Sequence, residues 1–170
     1  DKDVRQMLGL ADKSKIISLF KGVLNGNEKD ALNHLKELIN NGLDAKFFLN
    51  DMLEVLYLFS RRISLGPIEK DTSISESEVK MVDEYSKNIG MQDISLFWQL
   101  TIKTIDDLKI VGNENLTLEM YIMQLIYLKN IDEDKESQEI QNSSNNLQNE
   151  NIVGKKVNNK PVETKLPNKI

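Results

Sequence analysis

At 170 residues, 39% hydrophobic and 29% charged, the chain is long enough for one ordinary globular domain with residues to spare. It has no cysteine and a single histidine, His34, which excludes a disulfide framework and Cys/His zinc sites and points to a reducing, cytoplasmic setting. No apolar run approaches the ~20 residues of a membrane span, and no signal segment opens the chain. The formal net charge of −5 has the wrong sign for a surface that neutralises phosphates, so proteins are the expected partners.

The chain starts at Asp1 rather than at a methionine, and an amphipathic pattern follows almost at once, as expected of a piece of something longer. Residues 1–11 read as a short lead-in, residues 12–130 as a helical domain and residues 131–170 as a disordered linker or tail. Asp12 is a good N-cap for a first helix that places Ile16, Ile17, Phe20, Val23 and Leu24 on one face. Gly26 and Asn27 stop it. A second helix turns Ala31, Leu32, Leu35, Leu38 and Ile39 inward and ends at Gly42.

The third helix, Asp44 to Ser64, is the unusual one. Phe48, Leu49, Met52, Leu53, Val55, Leu56, Tyr57, Phe59 and Ile63 cover roughly 200° of its surface, more than one domain face requires. Phe47 and Leu58 fall on the remaining polar strip, among Asn50, Asp51, Glu54, Arg61 and Arg62. Such a helix is either central in a bundle or buried twice, once in its own domain and once against a partner.

Gly66 and Pro67 break the pattern, and Ser75 with Glu78 forms a capping box for a fourth helix closed by Gly90. Asp93 is expected to cap a fifth, in which Ile94, Phe97, Trp98, Leu100, Ile102, Ile105, Leu108 and Val111 oppose a polar face; Gly112 and Asn113 end it. The sixth, about Leu116 to Lys129, is apolar nearly all round and is the second helix without a proper wet face. From Ile131 onward no aromatic residue occurs, and Asn and Gln recur. The expectation is all-α, a bundle of about six helices with a disordered C-terminal tail.

Convergent chemistry is missing. No phosphate-cradling GxxxxGK[ST] or GxGxxG loop occurs. His34 reads as an ordinary boundary residue rather than a general base. Adjacent pairs such as Asp83 with Glu84 and Asp106 with Asp107 splay apart on a helix. Arg61 and Arg62 suit a helix C-terminus electrostatically, and Trp98 reads as core. No catalytic, cofactor or metal residue is expected here.

Particular stretches are more specific. Val4-Arg5-Gln6-Met7-Leu8-Gly9-Leu10-Ala11-Asp12 resembles the junction that opens the C-terminal collar of bacterial DNA polymerase III subunit gamma/tau, the clamp-loader motor. The turn at Gly26, the run Asn41-Gly42-Leu43-Asp44, Phe48-Leu49-Asn50-Asp51-Met52-Leu53, and Leu118-Glu119-Met120 with Leu125-Ile126-Tyr127-Leu128 are similar to that family's order of elements, over about residues 4 to 130.

The resemblance implies an oligomerisation scaffold. In that family an N-terminal module binds ATP with Mg and carries a zinc module, while the collar joins gamma/tau copies with delta and delta-prime in a pentamer that places the sliding clamp on primed DNA. None of the family's phosphate, zinc or arginine-finger motifs maps onto this sequence, so ATP, Mg and Zn are expected only upstream, and DNA contact only indirectly. Excess apolar surface on helices three and six makes Phe47, Glu54, Leu58, Arg61, Arg62, Tyr121 and Leu125 the expected partner-facing residues. The alternative is a free-standing helical adaptor for another protein; direct DNA binding is disfavoured by charge, and an isolated enzyme comes last.

Overall fold

The computed structural model describes residues 12–69 and 74–131; the lead-in and the tail expected at the two termini lie outside the described residues. Within them the fold is all-α, in six helices and a short 3-10 turn: α1 (Lys13–Leu24), α2 (Glu28–Asn40), α3 (Ala45–Leu65), α4 (Glu76–Tyr85), the turn Ser86–Asn88, α5 (Met91–Asp107) and α6 (114–131).

Local chemistry sets most of the boundaries. Asp12, Asn27 and Asp44 accept backbone N–H groups of Ser14, Asp30 and Phe47 at 2.9–3.1 Å, which satisfies donors that the first helical turn leaves free. Ser75 and Glu78 cap α4 reciprocally. Gly26 (φ 64°) and Gly42 (φ 83°) follow α1 and α2 in the left-handed region. There the N–H groups of Asn27 and Leu43 reach back to the carbonyls of Gly22 and Leu38 in Schellman turns.

Three boundaries differ from expectation. Helix α4 ends at Tyr85, and Ile89 is extended rather than helical. The N-cap of α5 is Gly90; Asp93 lies one turn inside, where its carboxylate accepts the Gly90 N–H at 3.2 Å. Asn113 does not end α5 but opens α6, its side chain accepting the Leu116 N–H at 3.1 Å.

Helix α1 packs on α2, α3 and α4, and α3 on α1, α4 and α5. Phe20 joins three of these layers, its ring meeting Phe59 edge-on at 5.1 Å and Phe97 at 6.0 Å. Gly22 lets α1 and α2 approach closely, since a Cβ there would sit 3.2 Å from the Ala31 backbone. Helix α6 closes the bundle. Tyr121 meets Phe48 of α3 edge-on and hydrogen-bonds Thr101 of α5, while Lys129 lies 4.0 Å from Asp93. Advancing along α6 therefore retraces α5, and the two run antiparallel. Helix α3 is thus a central helix, covered by α1, α4, α5 and α6 on all but one strip.

Candidate protein-protein interface

Three of the residues expected to face a partner belong to the chain's own core. Leu58 is only 6% exposed, and Tyr121 and Leu125 are buried. The reason at Leu58 is visible one turn further on, where Arg62 pairs with Asp83 of α4. Helix α4 therefore covers that side of α3, and the polar strip drawn from the sequence is narrower than expected. Arg62 is committed to the same internal contact. Tyr121 and Leu125 point inward, where the phenol is held by Thr101 and burial pushes its pKa up.

Phe47, Glu54 and Arg61 do lie at the surface. Phe47 is 47% exposed, Glu54 pairs with Lys13 of α1 at 2.9 Å, and the Arg61 guanidinium stands 5.9 Å from the centre of the Tyr57 ring. Tyr57 and Leu65, also exposed, fall on the same strip. The periodicity Phe47, Asn50, Glu54, Tyr57, Arg61, Leu65 is that of one helix seam.

A second apolar strip runs along the outer face of α6. Leu116, Met120 and Tyr127 are 65%, 51% and 66% exposed, and half-buried Met123 continues the line at a spacing of four, three and four residues. These side chains lie opposite Leu118, Ile122, Leu125 and Ile126, which fill the core. The lack of a wet face on α6 is thus real, although the residues that carry it are not Tyr121 and Leu125.

Helix α5 contributes a third strip, Met91, Trp98 and Ile102. Trp98 was expected in the core. Thr101 and Thr104 take the inward positions instead, each donating its hydroxyl to a carbonyl one turn back, Phe97 at 2.6 Å and Leu100 at 2.8 Å. Satisfied in this way, a threonine presents a methyl group to the core. The two threonines were the one sequence signal that α5 is turned away from its most apolar arc.

His34 is half-buried with an unbonded Nδ1, in a polar cleft of about 230 Å3 between α1 and α2 that it shares with Lys15 and Glu37. Among the described residues no group of His, Asp and Glu could hold a metal ion, and no helix is long and apolar enough to cross a membrane.

Residues 1–148 match the family described as DNA polymerase III subunits gamma and tau domain III. The chain belongs to that family. It is also 24% identical over 125 residues to DNA polymerase III subunit gamma of Buchnera aphidicola subsp. Acyrthosiphon pisum (strain APS). That alignment covers 74% of this chain and 34% of the relative, so the domain III chain spans about a third of the relative's length. The bacterial gamma/tau resemblance read from residues 4 to 130 and the all-α fold class therefore agree with the family and with the structure.

Proposed function

We propose that this domain III is the collar of a clamp loader, a scaffold that holds gamma/tau copies together with delta and delta-prime while catalysis and ATP, Mg and zinc binding reside elsewhere in the parent protein. The observation that carries this reading is the uncovered outer face of α6, a continuous apolar strip on a domain whose core is already complete. Burying each of its large side chains would contribute about 1 kcal/mol or more, enough in aggregate to hold subunits together. The chain's negative charge favours protein over DNA as the direct partner.

Sedimentation of the whole chain at tens of micromolar, alone and mixed with delta and delta-prime, tests this. Self-association or a stable complex with either subunit is expected. A strict monomer in every mixture overturns the scaffold reading.

A further inference from the structure

We propose that Asn41 is a site of spontaneous deamidation and isoaspartate formation, and that the fold selects it over a second asparagine in the same dipeptide, Asn25. The Asn-Gly steps of the chain are Asn25-Gly26 and Asn41-Gly42, and both asparagines are exposed. In such a step the glycine nitrogen, unhindered by a side chain, can attack the side-chain carbonyl of the asparagine. A new C–N bond closes a cyclic imide, and the side-chain NH2 departs as ammonia with the proton that the glycine nitrogen gives up. Water then opens the imide at either carbonyl, giving aspartate or an isoaspartate whose main chain runs through the former side chain. The reaction needs water and no other reagent.

In the native fold both nitrogens are occupied. The Gly26 N–H donates to the Val23 carbonyl and the Gly42 N–H to the Ile39 carbonyl, each at 3.0 Å. Attack therefore waits for the turn to open, and the two turns are not held equally. A Cβ at Gly26 would stand 3.2 Å from Asn130 Oδ1, so the end of α6 lies against the first turn, whereas a Cβ at Gly42 would meet nothing within 4 Å. Charge also separates the products. The last turn of α1 contains Lys21, which suits the negative end of a helix, while that of α2 has no basic residue and contains Glu37. A carboxylate formed at position 25 thus lies one turn from a lysine, and one formed at position 41 lies one turn from another acid. The consequence reaches α3. Isoaspartate at position 41 adds a carbon to the main chain just before the Asp44 cap, and the Leu43 N–H would lose its place on the Leu38 carbonyl.

The test is ageing of the full chain at mildly alkaline pH, with digestion, mass spectrometry of the two peptides and enzymatic methylation to count isoaspartate. Asn41 should be converted roughly fivefold faster than Asn25 in the native protein, and the two rates should converge in urea, where the turns are gone. Equal native rates, or faster loss at Asn25, would overturn the proposal. A preference for Asn41 that persists unchanged in urea would trace it to local sequence and overturn selection by the fold. As a second measurement, Asn41→Asp should lower the melting temperature more than Asn25→Asp, and the reverse order would count against the charge argument. None of these outcomes depends on the state of association, so the scaffold reading stands or falls separately.

Discussion

The Tyr121 phenol lies 2.8 Å from Thr101 Oγ1 inside the core, and this contact ties α6 to α5. The threonine has one hydroxyl proton, which is directed at the Phe97 carbonyl, so the phenol is the donor to Thr101. That assignment makes the two ends unequal. Thr101→Val strands a buried donor and should cost about 1–3 kcal/mol, whereas Tyr121→Phe removes the donor along with its need and should cost less. The double variant should resemble Tyr121→Phe. Urea denaturation of all four proteins measures this, and equal single losses would mean that the proton runs the other way.

The same phenol should impose an alkaline limit on stability. Burial of the phenol raises its pKa. A group with a raised folded pKa contributes stability that is complete below its unfolded value of about 10 and lost as pH climbs above it. The wild-type chain should therefore lose up to about 1.4 kcal/mol per pH unit above that point through this one residue. Lysines titrate in the same range, so the diagnostic quantity is the difference between wild type and Tyr121→Phe. That difference should change between about pH 9 and pH 11, and a constant difference would show that the phenol ionises as readily in the folded chain.

Phe47 and Leu58, both assigned to the outer strip by helical periodicity, should respond oppositely to a charge. Leu58→Asp places a carboxylate beneath α4 and should destabilise by about 3 kcal/mol or more. Phe47→Asp leaves the fold within about 0.5 kcal/mol of wild type, since its ring is half in solvent. Only the second is expected to weaken self-association without loss of helicity. Circular dichroism melts combined with sedimentation separate the two effects.

This contrast shows where sequence is legible and where it stops. The caps at Asp12, Asn27, Asp44 and Ser75 are local hydrogen bonds, and a residue type with a spacing is enough to place them. Gly90 took the cap from Asp93 because the carboxylate can serve the N-terminus equally well from inside the first turn. A helical wheel gives the direction of a side chain but not which neighbour lies there. Leu58 is covered by α4, a helix separated from α3 by a polar loop, and Tyr121 by α3 and α5 together. Trp98 was misjudged for the complementary reason, as the core accepted Thr101 and Thr104 once their hydroxyls were satisfied along the helix. The excess of apolar surface on two helices was legible, and only the packed bundle places its exposed part on α6 at Leu116, Met120 and Tyr127.

The close approach of α1 and α2 gives a last test, aimed at a buried helix pairing that is not itself one of the exposed strips. A Cβ at Gly22 would stand 3.2 Å from the backbone nitrogen, Cα and Cβ of Ala31. Backbone atoms cannot rotate out of the way, so the helices themselves would have to separate. Gly22→Ala needs only a few tenths of an ångström, and the lower helix-forming cost of alanine, about 1 kcal/mol relative to glycine, offsets part of that strain. Gly22→Val adds two methyl groups and should cost about 1–3 kcal/mol through overpacking. Neither substitution reaches the outer strips of α3 or α6. At temperatures well below its lowered melting point, Gly22→Val should therefore self-associate as wild type does, and reduced association in a fully folded sample would place α1 or α2 in the contact between copies.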